Sequence, residues 1–306
     1  MPKVSVIIPT YNQGKFITAT IESVLNQTYR DFEIVVVIDG STDDTKLQLE
    51  KFRSKIKIIE QERSERAVAR NNGVKHSSGE YLAFVDSDDI WKPEKLEVQI
   101  PILEGKKEIV VVYSACERID EYGNKIKTAE RQTQGYSGNI SKKLLLRNFV
   151  VSATPVLRRE IFEKSGGFIT KYVPYEDWEL WIRLSAYGNF MFIASPLASY
   201  RIHPLQTVKL VTAEKIEQVT NSLLTDSFKL IAINENIKNK SLGFANLRYC
   251  YWYLLAKKYK TAKDKINAAL RLNPGFIFDP RWYGLRFLCI FPDFIGKGLF
   301  DLRQYH

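Results

Sequence analysis

The sequence predicts an α/β fold built on a mostly parallel sheet, with an α-helical extension at its carboxyl end. Short apolar runs of strand length alternate with segments of helical period up to residue 204. Acidic and polar residues gather where several of these runs end, and beyond residue 204 only helical patterns follow. We therefore divide the 306-residue chain into a domain over 1–205 and a helical extension over 206–306.

The strands of the first domain are predicted from apolar runs that lack a helical period. Polar turns bound these runs, and residues spaced three and four apart between them indicate helices. The predicted strands are Val4–Pro9, Phe32–Ile38, Lys55–Glu60, Tyr81–Val85, Ile109–Ile119, Val150–Leu157 and Phe190–Ala194. The predicted helices are Phe16–Leu25, Thr45–Phe52, Ala67–Lys75, Arg158–Ser165 and one that begins near Glu176. Strands and helices in this order make a doubly wound sheet.

The extension has a different pattern. Thr212–Ile237 has helical period, and 245–274 resembles one helical hairpin of the tetratricopeptide type. Because one such repeat cannot bury a core alone, we expect it to pack on the first domain rather than form a binding array. Residues 276–306 interleave aromatic and basic side chains. This suits a helix lying on an anionic membrane surface, or an aromatic seam docked on the protein itself or on a second copy in a homodimer.

Charge and composition narrow the function classes. The net charge is +10, and residues 204–306 carry 16 basic and 8 acidic side chains, a net of +8. A basic extension favours an anionic surface, but no nucleic-acid-binding module accompanies it, which disfavours nucleic acid. The three cysteines show no metal or disulfide spacing, which fits a reducing cytosol. No signal peptide or spanning run is present, so we expect a cytoplasmic protein, peripheral on the inner face of the membrane if the tail binds lipid.

The acidic stretch that follows the fourth strand is the centre of the functional argument. Tyr81–Val85 ends in Asp86, Asp88 and Asp89, and two residues apart in extended backbone share one side of the strand. Three acids repel one another unless a cation sits among them, and Mg²⁺ or Mn²⁺ carrying a diphosphate would meet that need. The alternative is a polar turn that caps the following helix.

Other candidate residues lie at strand and helix ends. Thr10 and Asp39 end the first two strands, which predicts a nucleotide crevice shared with the acidic stretch. Arg70 would neutralise phosphate or hold the acids, or is a solvated helical arginine. Asp177, beside Glu176, is either a dipole-favoured helix start or a catalytic base. His203 is a metal ligand or a structural histidine.

Neither a G-x-G-x-x-G nor a P-loop motif is present, which disfavours dehydrogenases and P-loop NTPases.

These residues belong to an ordered set of motifs that resembles the inverting family 2 glycosyltransferases, whose nucleotide-diphospho-sugar transferase fold is called GT-A. Any one motif is weak, but the ordered set is specific and covers residues 3–204. The matching segments are Val4–Asn12, Glu22–Tyr29, Asp39–Asp44, Ala69–Gly73, Gly79–Asp89, Glu176–Trp178 and Tyr200–His203.

The resemblance implies a role for each candidate. Thr10 and Asp39 would line the nucleoside pocket, with Asp39 accepting from the base. Asp177 would be the catalytic base. In the same way, contact with the nucleotide sugar is implied for Tyr11, Arg70, Asp86 (at the ribose) and Glu176. Binding of Mg²⁺ or Mn²⁺ is implied for Asp88 and His203.

The resemblance also implies the activity. It is metal-dependent transfer of one sugar, with inversion, from a nucleotide-diphosphate sugar (a UDP-sugar favoured) to an acceptor glycan or glycolipid in cell-surface polysaccharide or glycolipid synthesis. Ile38 stands where the family usually has an acid, which bears on the donor base, and the Gln-x-x-Arg-Trp motif of processive synthases is absent. The rival hypotheses are a nucleotidyltransferase, disfavoured without a glycine-rich phosphate loop, and a non-catalytic nucleotide-sugar-binding scaffold with a helical interaction tail.

Overall fold

The computed structural model describes residues 1–126, 134–204, 206 and 211–290. They form two compact units. One, the sheet unit, comprises Met1–Ile140 and Phe149–Pro204, and the other, the helical unit, comprises Ser141–Asn148 and the described residues of Leu205–His306. The chain therefore enters the helical unit briefly at 141–148 before it completes the sheet unit.

The sheet unit is built on one mixed sheet of eight strands in the order β3-β2-β1-β4-β7-β6-β8-β5. Its strands are β1 Val4–Thr10, β2 Phe32–Asp39, β3 Lys57–Gln61, β4 Tyr81–Phe84, β5 Ile90–Trp91, β6 Ile109–Ile119, β7 Val156–Arg158 and β8 Asn189–Arg201. Strands β3, β2, β1 and β4 run parallel, whereas β7 is antiparallel to both β4 and β6. The predicted α/β fold, a mostly parallel sheet flanked by helices with a helical carboxyl end, is confirmed.

Helices flank the sheet and bury their apolar sides against it. In the sheet unit these are α1 Gly14–Leu25, α2 Thr45–Glu50, α3 Arg66–Lys75, α4 Lys95–Gly105, α6 Arg159–Ser165 and α7 Glu176–Leu184, with α5 Ser141–Leu144 between them in the helical unit. Strands β1 and β4 are buried along their whole length, as their continuous apolar runs predict for strands covered on both faces.

The parallel half of the sheet determines where the candidate residues meet. Thr10 is paired in register with Ile38, next to Asp39, and Ile7 is paired with Phe84, two residues before Asp86. The carboxyl ends of β2, β1 and β4 therefore open side by side at one edge. This is the edge at which open α/β sheets bind ligands.

Three strands of the structure differ from the prediction. The run 150–157 is a strand only from Val156, because Thr154 N–H donates to Val151 O at 2.9 Å and closes a turn. The last strand, β8, continues to Arg201 beyond a register irregularity near Ala115. Ile90–Trp91, which the sequence analysis left out of any strand, pairs with the end of β8.

The helical unit contains α8 Ala213–Leu230, α9 Glu235–Leu255, α10 Tyr259–Leu272 and α11 Pro280–Ile290. The stretch 212–237 predicted to be helical contains two helices, because α8 ends at Leu230 and Asn234 starts α9 by accepting from Ile237 N–H at 3.0 Å. The hydroxyl of Ser241 donates to Leu145 O at 2.5 Å, which joins segment 141–148 to α9.

One face of α11 is exposed. It carries Tyr283, Arg286, Phe287 and Ile290, while Trp282 and Leu285 on the opposite side are buried. The rest of the predicted tail, 291–306, and part of the polar loop between β6 and β7, 127–133, lie outside the described residues. No helix among the described residues combines the length and apolar character needed to cross a membrane.

Candidate active site

Asp39, the last residue of β2, is held as a fixed hydrogen-bond acceptor. Its buried carboxylate accepts from Gln61 Nε2 and Ser64 N–H at 2.8 Å each through Oδ1, and from Arg63 Nη1 at 2.5 Å through Oδ2. Asn72 Nδ2 donates to Gln61 Oε1 at 2.8 Å and so orients the Gln61 amide. An acceptor fixed in this way selects a ligand edge that carries a donor.

Tyr11 lies beside this carboxylate on the turn that follows β1. Asn12, with φ of 51°, turns the chain and ties it to the β2 loop, where Asn12 Oδ1 accepts from Thr42 N–H at 2.8 Å. The Tyr11 ring is 39% exposed, and the Arg63 guanidinium carbon lies 3.5 Å from the ring centre. The Arg63 guanidinium covers one face of the ring, and the exposed part of the side chain is suited to contact with a planar base.

Thr10, at the end of β1, adds a polar atom to the same edge. Its side chain is 2% exposed, and its Oγ1 has no hydrogen-bond partner among the described residues. A buried hydroxyl of this kind costs free energy unless a ligand or water satisfies it. Thr10 and Asp39 thus lie at the carboxyl ends of β1 and β2, and Tyr11 lies on the turn that follows β1.

Arg70, on α3, is buried and bridges two of the predicted residues. Its Nη2 donates to Asp86 Oδ1 at 2.5 Å and its Nη1 to Glu176 Oε1 at 2.7 Å. Arg66, one turn earlier, places its Nε 2.6 Å from the same Glu176 oxygen. Glu176 Oε2 is buried without a hydrogen-bond partner in the described part of the chain. The solvated reading of Arg70 is therefore wrong, since the guanidinium joins the end of β4 to the start of α7.

Asp177 follows Glu176 in the first turn of α7. Its Oδ2 accepts from the Ser152 hydroxyl at 3.1 Å, and its Oδ1 from Trp178 N–H at 2.6 Å. Loss of water around the carboxyl and the negative charge of Glu176 raise the pKa of Asp177 to about 6, while Arg70 and Arg66 oppose the shift. A carboxyl with this pKa is ionised at neutral pH and is still basic enough to take a proton.

Asp88 and His203, both predicted metal ligands, lie in contact. His203 Nε2 is 2.7 Å from Asp88 Oδ2, and the imidazole is buried against the Phe16 ring, 4.7 Å between centroids. No cluster of three or more His, Cys, Asp or Glu side chains arranged for a metal occurs among the described residues. A carboxylate and an imidazole nevertheless fit a divalent cation that takes its other ligands from substrate phosphates and water.

Asp89, the third acid, faces inward. Its side chain is fully buried, Oδ1 accepts from Arg201 N–H at 2.9 Å, and its backbone oxygen accepts from Thr20 Oγ1. Burial and the charges of Asp88 and Asp86 raise its pKa well above the ordinary value. Helix α4 begins only at Lys95 and has no side-chain cap, so the acids do not cap it.

Three residues of the site were missed by the sequence analysis: Arg63, Arg66 and Ser152. Arg66 had a usable signal, since it precedes Arg70 by four residues and so lies on the same face of α3. Arg63 and Ser152 lie in loops, where no periodicity relates them to Asp39 or to Asp177. Only the folded chain brings these pairs together.

Comparisons with known proteins agree with this architecture. The sequence pattern of the family described as "Glycosyl transferase family 2" matches residues 5–166. An uncharacterized glycosyltransferase from Rickettsia bellii is 36% identical over 203 residues. The aligned region covers 65% of this chain and 29% of that relative. The Escherichia coli "UDP-Glc:alpha-D-GlcNAc-diphosphoundecaprenol beta-1,3-glucosyltransferase WfgD" is 36% identical over 192 residues, 62% of this chain and 72% of that protein.

Solved structures support the fold. TarS of S. aureus, residues 1–349 in complex with UDP, superimposes with a TM-score of 0.65 at 19% identity, over 98% of this chain and 93% of that one. The mannosyltransferase PcManGT from Pyrobaculum calidifontis, in complex with GDP-Man and Mn²⁺, gives a TM-score of 0.61 at 20% identity, over 98% and 88% of the two chains. With a GT-A-like sheet, the predicted residues at its open edge and a family match over more than half its length, this chain belongs to glycosyl transferase family 2 and is a glycosyltransferase.

Proposed function

We propose that the chain transfers one sugar from a nucleotide-diphosphate sugar to an acceptor hydroxyl, with inversion at the anomeric carbon, in cell-surface polysaccharide or glycolipid synthesis. The observation that carries this proposal is the buried bridge from Asp86 through Arg70 to Glu176, with bonds of 2.5 Å and 2.7 Å. It ties the nucleotide end of the crevice to the helix that bears Asp177, so donor and base are held in one rigid arrangement.

The donor base is selected, in this proposal, at the end of β2. Asp39 presents only acceptor oxygens there, and Tyr11 offers a ring face beside it. Uracil, thymine and guanine carry a ring N–H that can donate to such a carboxylate, whereas cytosine and adenine present a ring acceptor at the equivalent position. The complexes of solved relatives with UDP and with GDP-Man support the same classes, and we favour a UDP-sugar.

Asp88 and His203 would hold Mg²⁺ or Mn²⁺ together with the diphosphate, with Mn²⁺ suited to the mixed oxygen and nitrogen ligands. Bound there, the cation would stabilise the negative charge that develops on the leaving diphosphate. The Mn²⁺ in the mannosyltransferase complex supports a divalent ion in this fold. Arg70, which is paired with Asp86, would contribute a second positive charge.

Asp177 would act as the general base. Its carboxylate takes the proton of the acceptor hydroxyl as that oxygen forms a bond to the anomeric carbon. The bond from the anomeric carbon to the diphosphate oxygen breaks on the opposite face, and the nucleoside diphosphate leaves with the electron pair. No covalent sugar–enzyme intermediate forms, which is why the configuration inverts. Ionised Asp177 is regenerated when it releases the proton to water.

The acceptor, we infer, is presented at a membrane surface. The exposed face of α11 places Tyr283, Phe287 and Ile290 at helical spacing, with Arg286 among them. An amphipathic helix of this kind lies in the interface of an anionic leaflet. A diphosphoundecaprenol-linked acceptor, as named for the E. coli relative, would be delivered there, on the inner face of the membrane.

Vesicle flotation tests the membrane part. The full chain should float with phosphatidylglycerol vesicles and less with phosphatidylcholine, and Phe287→Glu with Ile290→Glu should abolish flotation. The matched control, Leu230→Glu, alters an apolar side chain that is 48% exposed at the end of α8 and should float normally. Undiminished flotation of the double variant would remove α11 as the contact and leave a second copy of the chain as the partner for that face.

Calorimetric titration tests the nucleotide and metal parts. UDP, GDP, dTDP and CMP are each added to the wild-type protein and to Asp88→Ala, with and without Mn²⁺. We expect UDP to bind, with a gain in affinity from Mn²⁺ that Asp88→Ala abolishes while the metal-free affinity is kept. If none of the four nucleotides binds, the crevice is structural and the proposal fails.

A further inference from the structure

The Ser152 hydroxyl donates to the carboxylate of Asp177, at 3.1 Å from Oδ2. It stands in the turn 151–154 that precedes β7, in a stretch that the sequence pattern presented as strand. Trp178 N–H donates to the other oxygen, Oδ1. These two donors contact different oxygens and so restrain the plane of the carboxylate.

The turn itself is anchored by a buried polar cluster from β5 and α4. Trp91 Nε1 donates to Ala153 O at 2.9 Å, Lys95 Nζ to Thr154 O at 2.9 Å, and Gln99 Nε2 to the same oxygen at 3.0 Å. The side chains of Trp91, Lys95 and Gln99 are all buried. Lys95 Nζ also donates to Gln99 Oε1 and lies 4.5 Å from the centre of the Trp91 ring.

Burial of a lysine side chain costs free energy, so the contacts that Lys95 makes in return are informative. Burial lowers the pKa of Lys95 well below its ordinary value, and its Nζ bonds to an amide oxygen and a backbone carbonyl rather than to a carboxylate. An apolar side chain would fill the same space at less cost. What lysine adds is a donor directed at the carbonyl of Thr154, which fixes the turn two residues after Ser152.

We propose that Ser152 is a positioning residue for the base Asp177, and that Lys95, Gln99 and Trp91 fix the turn that carries it. The inference rests on the proposed function, because it takes Asp177 to be the base. Ser152 touches neither donor nor acceptor in this scheme. It acts by holding the carboxylate in its ionised form and in the orientation required for the incoming hydroxyl.

The expected electrostatic effect has a definite sign. The charged groups that face Asp177 are Glu176 on its own helix, which raises the pKa of the Asp177 carboxyl, and Arg66 and Arg70 on α3, which lower it. The hydroxyl of Ser152 donates to the ionised carboxylate and not to a neutral partner, so it also favours ionisation. Its removal should raise the pKa of Asp177 above about 6.

The direct test follows the Asp177 carboxyl carbon by NMR in protein labelled with ¹³C-aspartate, with Asp177→Asn to assign the signal. In Ser152→Ala the titration midpoint should rise by about one pH unit, the shift expected for loss of one hydrogen bond to a charged group. Ser152→Thr keeps the hydroxyl and should titrate as wild type. Ser185→Ala is the matched control, since it removes a buried serine whose hydroxyl bonds to Ile182 O in the same helix. An unchanged midpoint in Ser152→Ala overturns the inference.

A kinetic test uses release of UDP from UDP-glucose, with water as acceptor. The acid limb of the kcat/KM profile should move upward in Ser152→Ala by the same amount as the NMR midpoint, while the Kd for UDP stays within twofold of wild type. A weakened Kd with an unmoved acid limb would mean that Ser152 serves only the fold.

A double-mutant cycle tests the cluster beneath the turn. Lys95→Met should shift the Asp177 midpoint in the same direction as Ser152→Ala, by a smaller amount, and should add nothing when Ser152 is already alanine. Additive shifts would overturn the link between the two. The outcomes are separable from the proposed function: an active Asp177→Asn removes the base assignment, whereas an inactive Asp177→Asn with a wild-type midpoint in Ser152→Ala removes only the positioning role.

Discussion

Arg70 Nη1 lies 2.7 Å from Glu176 Oε1, and both side chains are buried. Because Nη2 of the same guanidinium bonds to Asp86, one planar group sets the position of two acids that are 90 residues apart in the chain. The planar guanidinium of an arginine can bond to two carboxylates at once in fixed directions, whereas the ammonium group of a lysine does not fix their directions. Arg70 therefore links the nucleotide edge directly to the base-bearing helix, while Arg66 adds a second contact to Glu176.

Arg70→Lys should consequently be a disruptive change. Lysine reaches one acid at a time, so either the half-buried Asp86 or Glu176, which keeps Arg66 as a partner, loses its bond, and the free energy of unfolding should fall by about 1–3 kcal/mol. Urea unfolding measures this, and Arg70→Lys combined with Glu176→Gln should recover part of the loss, because the amide carries no charge to compensate. Equal stability of Arg70→Lys and wild type would show that the bridge contributes little.

Asp177→Asn should reduce turnover by roughly 10²–10⁴-fold, the usual contribution of a general base. The amide cannot accept the proton of the acceptor hydroxyl, yet it occupies the same volume and keeps an oxygen for the Ser152 hydroxyl. Single-turnover assays give the rate, and calorimetry should find UDP affinity unchanged. Asp264→Asn, at an exposed site on α10, is the matched control. Loss of UDP affinity in Asp177→Asn would place this residue in nucleotide binding instead.

The pH dependence of activity should have an acid limb near the Asp177 pKa of about 6. Only the ionised carboxylate accepts a proton, so kcat should rise with pH through this value and level off above it. The free energy of unfolding depends on pH in the opposite direction. The folded pKa is raised from 3.8, so the native state holds more protons than the unfolded chain between these values and loses stability as pH rises through them.

Asp177→Asn removes this linkage. The variant should therefore gain thermal stability relative to wild type above about pH 6 and show no such gain below about pH 4, where the wild-type carboxyl is protonated in both states. Melting temperatures of the two proteins across pH 4–8 measure the difference. A constant difference over this range would mean that Asp177 titrates at its ordinary value in the folded protein.

Asp39→Asn should weaken UDP binding by about tenfold to a hundredfold, as expected when a charged acceptor is lost to a buried partner. The amide presents a donor as well as an acceptor, so the affinity ratio of UDP over CDP should also fall. Titration with both nucleotides measures the ratio, and Asp44→Asn, exposed before α2, is the control. A preserved ratio would exclude Asp39 from the contact with the base.

The strand–helix alternation could be predicted from the sequence alone, and so could the edge of the sheet at which Thr10, Asp39 and Asp86 gather. These follow from local rules, since apolar runs of strand length and residues at strand ends can be read without knowing the fold. The ordered motifs supplied the family, because several short matches in one order are specific where each alone is weak.

Which side chains contact one another could not be predicted from the sequence, because these contacts depend on how the chain folds. Val150–Val151 looked like strand because it is apolar, yet contacts from Trp91, Lys95 and Gln99 hold the neighbouring residues in a turn and bring Ser152 to Asp177. Arg63 reaches Asp39 from a loop in the same way. Periodicity records which residues are buried along one element. Hydrogen bonds between residues far apart in the chain depend on how elements cross, and no local pattern carries that information.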